Sequence, residues 1–355
     1  MQAMSASGDG GRWHAVDHVK AAAIVAVVFT HAGRVTLDSS PTSVDSLLTS
    51  IWTRFQVPAF LFVSGLLYAR SSPMPWAAVG RRLRRVLQPY LVISLAAIAV
   101  GLAVSSGTPP WTRWPTAVRS VGGVAEQLLT ASALGIYYYI MLIVCCIPLA
   151  WPLSRSGRWG PWGLCLAGAA LALAFDLGLL TRPAVLLAGW LGQGLVFWVM
   201  RDPLEQFHLG YFVAGWLAAL YLPQLRRLAD TRLALAVALG CAGVLFGWGA
   251  MLGAFSTGSK SLERVVYTLA VVGLLCLATR RRVAGPLVRF LGDASLGIYL
   301  IHRIFQLLAQ PLTDSWPPLL RIGGQVVVGL GAASLVLLAG RQLLGEPRAR
   351  RWLGA

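Results

Sequence analysis

Long apolar runs, each closed by a short polar or arginine-bearing stretch, recur along nearly the whole chain. Their lengths suit the ~20 residues a helix needs to cross a bilayer. They are continuous rather than alternating, which argues against a β-barrel. The pattern predicts spans at about 15–33, 51–69, 86–105, 130–151, 161–180, 207–222, 233–253, 263–279, 290–309 and 319–340. A further apolar run covers 184–200. Arginine clusters at 70–85, 155–158, 226–232, 280–282 and 348–351 mark the cytoplasmic side, and the stretch 35–50, without Lys or Arg, marks the outside. If every run crossed, Arg226 and Arg227 would fall outside. The run 184–200, broken by Gly192, Gln193 and Gly194, is therefore expected to be re-entrant or interfacial. The expected fold is an all-α polytopic integral membrane bundle of about ten transmembrane helices with both termini cytoplasmic. Residues 1–12 read as a disordered Gly/Ser-rich tail, 13–341 as one membrane domain and 342–355 as a basic tail. No internal repeat is visible.

Composition agrees with this class: 57% hydrophobic and 12% charged over 355 residues, with a mean hydropathy of +0.68, is outside the range of ordinary soluble domains. The net charge of +17 could suggest nucleic acid, but the arginines lie in short clusters between apolar runs, as membrane topology requires. Only Lys20 and Lys260 are lysines, against twenty-eight arginines. Cys145, Cys146, Cys165, Cys241 and Cys276 all lie in apolar segments without ligand or disulfide spacing, so they read as core residues. The first span carries Asp17, Lys20 and His31 and has no cleavage site, so it is not a removable signal.

Ten uncharged residues separate Lys20 from His31. Eleven steps of a helix return to within roughly 20° of the starting direction and rise about 16 Å, so the two share one face, three turns apart. Polar groups on a membrane helix are costly and usually functional. Lys20 can also be explained by snorkelling to the headgroups. A histidine can serve as general base or nucleophile near neutral pH. No other histidine has metal-ligand spacing with His31, so no metal is expected. Arg81, Arg82, Arg84 and Arg85 can grip phosphates bidentately or simply anchor the inner loop to anionic lipid. Within Pro58–Gly65, Ser64 and Gly65 permit close approach of a ligand or of another helix. Ser295, Tyr299 and His302 form one stripe by their i, i+4, i+7 spacing, for which interhelical hydrogen bonding is the simpler account. His14, His18 and His208 read as interfacial.

These residues resemble the acyltransferase-3 family of integral membrane acyltransferases, in order and over nearly the whole chain. That family's first helix has Asp-x-x-Arg/Lys followed by a histidine eleven positions after the basic residue, matched by Asp17, Lys20 and His31. Its second has Phe-x-Val-Pro-x-Phe and Ser-Gly, matched by Phe55, Val57, Pro58, Phe60, Ser64 and Gly65. Its third begins with basic residues ahead of Pro-Tyr, matched by Arg81, Arg82, Arg85, Pro89 and Tyr90. Its closing Ser-x-x-Ile-Tyr-x-x-His is matched by Ser295, Ile298, Tyr299 and His302. Where many members have His-Leu-Trp-Phe-Leu, this chain has Ile136-Tyr137-Tyr138-Tyr139-Ile140, which bears on the acceptor.

The resemblance implies a multi-pass protein of the bacterial inner membrane that moves an acyl group, acetyl in the simplest case, to a hydroxyl. Cytoplasmic acyl-CoA would be the co-substrate, with no permanently bound cofactor. The acceptor would be a sugar, a glycan or a lipid-linked intermediate. His31 would be the base or the acyl carrier, with Lys20 beside it. Arg81, Arg82, Arg84, Arg85 and Lys20 would hold the CoA phosphates. Asp17, Ser64, Tyr90, Tyr138, Tyr299 and His302 would contact substrate. The partners expected are acyl-CoA, the hydroxyl acceptor and the bilayer, with no nucleic acid. A transporter of a glycosylated or acylated lipid is the alternative; the lack of an internal repeat and of paired broken helices speaks against it.

Overall fold

In a bilayer the backbone must satisfy its own hydrogen bonds, and the apolar runs do so as helices. The computed structural model describes residues 13–36, 55–71, 73–105, 121–134, 136–177, 179–180, 208–229, 260–280 and 283–355, with positions 235 and 240. Among these there are thirteen helices and no strand. In chain order they are α1 (His14–Thr36), α2 (Gln56–Arg70), α3 (Trp76–Ser105), α4 (Val121–Leu129), α5 (Tyr138–Leu153) and α6 (Trp159–Asp176), then α7 (His208–Leu220), α8 (Leu222–Ala229), α9 (Lys260–Thr279), α10 (Pro286–Asp293), α11 (Ser295–Thr313), α12 (Pro318–Leu344) and α13 (Glu346–Leu353). Three of them, α1, α3 and α12, are long and apolar enough to cross a membrane, and α5, α6, α7 and α9 are shorter apolar helices. The chain is a polytopic helical membrane protein. The expected tail 1–12, the segment 184–200, Cys241, the loop beyond Thr36 and all but two positions of 233–253 lie outside the described residues.

α1 is the hub, packed against α2, α9, α10, α11 and α12. Of its apolar stretch 72% is buried inside the protein, against 28% for α12, so α1 is the core and α12 the lipid-facing wall. Leu319, Leu335 and Leu343 on α12 are correspondingly exposed.

Three expected spans are corrected. The one placed at 86–105 begins ten residues earlier, because α3 starts at Trp76 and includes the whole arginine cluster. Arginine ends a hydropathy window without ending a helix, since its helix propensity is high. The one placed at 130–151 starts later, at Tyr138: α4 stops at Leu129 and Ala131 has a positive φ of 54°, so the chain turns before α5 begins. The one placed at 290–309 is two helices divided at Ala294, where the Ser295 hydroxyl donates to the Gly292 carbonyl at 3.0 Å. The residues assigned to a basic tail contain α13, which packs on α12 and α3.

Gly65 on α2 faces the Phe212 carbonyl of α7, and Gly215 on α7 faces the Phe62 carbonyl of α2. A Cβ at either glycine would overlap the opposing backbone. Small residues thus let these helices cross at backbone contact, the usual device where hydrophobic burial cannot drive association.

Candidate functional site

At the arginine-bearing end of the bundle a cavity of about 650 Å³ opens between α1, α2, α3, α5, α11 and α13. Its rim is basic. Arg81, Arg84, Arg85 and Gln88 line it from α3, and Arg350 and Arg351 line it from α13. The α3 positions are spaced i, i+3, i+4, i+7, one face of a helix, so the cluster can present several side chains together. Further in, Lys20 of α1 and Ser64 of α2 reach the cavity. Phe60, Tyr139 and Tyr299 form the apolar and aromatic inner end. The volume falls within the ~300–1,000 Å³ typical of ligand pockets.

Behind Tyr299 lies a pair of buried histidines. The rings of His31 and His302 stack with centroids 5.1 Å apart, and His31 Nδ1 lies 3.0 Å from His302 Nε2. His302 Nδ1 lies 2.9 Å from the Ile298 carbonyl, an acceptor only, so this nitrogen carries the hydrogen and donates it. For two neutral rings the remaining assignments follow. His302 Nε2 bears a lone pair and accepts from His31 Nδ1–H, which places the lone pair of His31 on Nε2. A backbone carbonyl on α11 thereby selects the tautomer that a base or nucleophile needs.

α11 also fixes the turn of α1 that carries His31. Arg303 Nη1 donates to the His31 carbonyl at 3.3 Å, and Gln306 Nε2 donates to the Val28 carbonyl at 3.0 Å. Thr30 Oγ1 donates to Gln56 Oε1 of α2 at 3.2 Å. α11 is held in turn by the stretch before α5: Tyr137 donates its hydroxyl to the Leu300 carbonyl at 2.7 Å, and Tyr299 donates to the Ile136 carbonyl. The departure at Ile136–Ile140 therefore builds the seat of α11, and it also supplies Tyr139, whose ring meets Tyr299 edge-on at 5.5 Å.

The structure brings Lys20, Arg81, Arg84, Arg85, Ser64 and Tyr299 to one cavity. His31 and His302 do not line it; the Tyr299 ring, 6.2 Å from His302, stands on the shared wall. Arg82 points elsewhere, its guanidinium 4.0 Å over the Tyr68 ring and 3.7 Å from the Met74 sulfur. Asp17 is buried against Gly292 of α10, with His14 Nδ1 3.9 Å from its carboxylate. Tyr90 donates to the Leu128 carbonyl at 2.6 Å and meets Tyr137 edge-on, a structural role between α3 and α4. Tyr138 is half-buried and off the cavity wall. Arg303, Gln306, Tyr137, Arg350 and Arg351 were not expected at the site. Arg303 and Gln306 had a visible signal, being polar residues next to His302 in an apolar run.

A family model described as an acyltransferase domain matches residues 13–340. No curated protein and no solved structure matches the chain.

Proposed function

Because the chain belongs to the acyltransferase-3 family and is thus a membrane acyltransferase, we propose that it transfers an acyl group, acetyl in the simplest case, from acyl-CoA to a hydroxyl of a sugar, glycan or lipid-linked acceptor. The observation that carries this reading is the cavity itself, with a guanidinium rim at one end and a wall shared with a tautomer-selected histidine at the other. CoA is polyanionic at one end and slender at the other. Its phosphates suit the rim, where Arg81, Arg84, Arg85 and Lys20 offer charge-assisted bonds. Its pantetheine arm suits the passage toward Ser64, Tyr139 and Tyr299. With the basic rim inside by the charge rule, the donor is cytoplasmic; the bacterial inner membrane is what the family resemblance implies.

In the transfer, His31 Nε2 takes the proton from the acceptor hydroxyl, and the oxygen attacks the thioester carbonyl. The C–S bond breaks, and the leaving thiolate recovers the proton from His31. In the carrier variant, Nε2 attacks the thioester carbonyl and the C–S bond breaks, leaving an acyl-imidazolium and the CoA thiolate. The acceptor hydroxyl then attacks the acyl carbon, its proton goes to the thiolate, and the C–N bond breaks to restore neutral His31. In either case Tyr299 separates the end of the cavity from His31, and a swing of its side chain about Cα–Cβ joins them. That swing breaks the hydroxyl bond to Ile136, at about 1–3 kcal/mol while the groups stay buried and unpaired.

Protein reconstituted in nanodiscs with labelled acetyl-CoA and hydroxyl acceptors tests the reading. Wild type should transfer or hydrolyse the label, and His31→Ala should do neither while inserting normally. An acyl-histidine trapped without acceptor identifies the carrier variant. Full activity of a well-inserted His31→Ala protein would refute the mechanism.

A further inference from the structure

We propose that α13 is the second jaw of a phosphate clamp: Arg350 and Arg351 close on the same anionic ligand that Arg81, Arg84 and Arg85 hold from α3. The inference rests on the acyl-CoA reading above and adds to it a binding element outside the matched residues 13–340.

Three observations carry it. First, α13 presents its charges selectively. Pro347, Arg350 and Arg351, at i, i+3, i+4, line the cavity, whereas Arg348, about 100° round the helix from Pro347, does not. Arg81, Arg84 and Arg85 are spaced the same way on α3, and the two helices are in contact. Two cationic helix faces therefore look into one space. Second, α13 is seated in a built socket. Leu353 fills a notch left by Gly340 of α12, and its carbonyl would lie 2.7 Å from a Cβ at Gly297 of α11. Gly354 accepts from the Gly297 backbone N–H at 3.2 Å, and Ala349 is fully buried. Gly345 and Gly354, with φ of +77° and +71°, supply the left-handed turns at the two ends of the helix. A loosely solvated tail would need none of this. Third, among the described residues cationic side chains outnumber carboxylates on the cavity wall: Lys20 and five arginines line it, with Asp293. Glu346 does pair with Arg350, at 2.6 Å on the exposed side. Holding like charges face to face is unfavourable until an anion stands between them. The ligand that suits two facing arginine sets is a polyphosphate rather than a single carboxylate, and the nucleotide end of CoA has that chemistry.

The same phosphate chemistry is offered by anionic lipid headgroups, so the test separates the two sources. Full-length protein is placed in nanodiscs of neutral phosphatidylcholine, with and without phosphatidylglycerol, and its affinity for CoA is measured by calorimetry alongside thermal stability. In the neutral discs Arg350→Gln/Arg351→Gln should weaken CoA binding at least tenfold, since one charge-assisted contact is worth about that factor. Arg348→Gln should leave affinity within twofold, and Arg350→Lys/Arg351→Lys should retain most of it. All three should keep the wild-type melting temperature, because both arginines are exposed. The clamp is overturned if the double Gln variant binds CoA like wild type while Arg84→Gln/Arg85→Gln does not; the donor reading then survives without α13. It is also overturned if Arg348→Gln is equally damaging, which indicates a diffuse field, or if the loss appears only with phosphatidylglycerol, which indicates lipid contact. Wild type that does not bind CoA at all refutes the donor reading and the clamp with it.

Discussion

Replacing His302 with phenylalanine isolates the tautomer argument. The ring shape is nearly kept, both nitrogens are lost, and the fully buried site stays filled. The Ile298 carbonyl loses the side-chain donor but keeps its helical bond from the His302 backbone, so no acceptor is stranded there. The group that is stranded is His31 Nδ1–H, deprived of its acceptor at 3.0 Å in a buried site. Leaving such a donor unpaired costs about 1–3 kcal/mol. His31 avoids that cost by moving its hydrogen to Nε2, where the acceptor hydroxyl of the proposed reaction takes the bond, which removes the lone pair from the reactive nitrogen. The competent tautomer is then depopulated by roughly 5- to 150-fold, and kcat should fall by that factor. KM for acyl-CoA should change less than threefold, because His302 does not line the cavity. The assay is CoA release by nanodisc-embedded protein at saturating acceptor, with stability followed in parallel. In a His31→Ala background the same replacement should have no further effect, since His302 acts only through His31. A His302→Phe protein that folds and keeps kcat within twofold of wild type, or that loses donor affinity instead, would show that the pair does not set the chemistry.

Arg84→Gln/Arg85→Gln should raise KM for acyl-CoA more than tenfold with kcat preserved, from contacts of about 1.5–3 kcal/mol each. Arg82→Gln should leave KM near wild type and instead lower thermal stability, because its partners are Tyr68 and Met74. Gly65→Ala should cost more than the ~1–3 kcal/mol of ordinary overpacking, since the opposing atom is the Phe212 backbone, and size-exclusion of the detergent-solubilised protein should show aggregation. A cysteine introduced at Ser43 should react with an impermeant thiol reagent in intact cells and one at Ser154 should not; the reverse labelling would invert the topology.

The helix-forming runs and the α1 stripe were legible in the sequence because hydropathy and spacing within one helix are local properties. The arginine cluster was legible only as a cluster. Read as an inner loop, it offered four equivalent guanidiniums. Read as helix from Trp76, its i, i+3, i+4, i+7 spacing separates Arg81, Arg84, Arg85 and Gln88 from Arg82. The bond between His31 and His302 joins residues 271 positions apart, and nothing local announces it. Gly65 illustrates a harder ambiguity. Close approach was readable, but whether a ligand or a helix approached was not, and here Ser64 faces the cavity while its neighbour meets Phe212. The break after Leu129 was hidden because its residues are as apolar as a helix, and only the tertiary bonds of Tyr137 and Tyr299 show why the chain turns there.

Those two tyrosine bonds also explain how the separate parts can act together. The basic rim belongs to α3 and α13, and the histidine pair belongs to α1 and α11. α1 reaches both through Lys20 and His31, and α11 joins them side by side, with Ser295 and Tyr299 on the cavity and His302, Arg303 and Gln306 on α1. Its position is set by reciprocal bonds with Ile136 and Tyr137, one hydroxyl donated in each direction. Tyr299 is part of the inner end of the cavity, with Phe60 and Tyr139, and it cannot shift without loosening one of the bonds that locate His302. On the proposed function, donor occupancy and base geometry are coupled through one turn of one helix. The coupling is reciprocal as a matter of linkage: a change that repositions His302 through this seat must alter donor affinity too, whereas a change confined to its ring nitrogens must not.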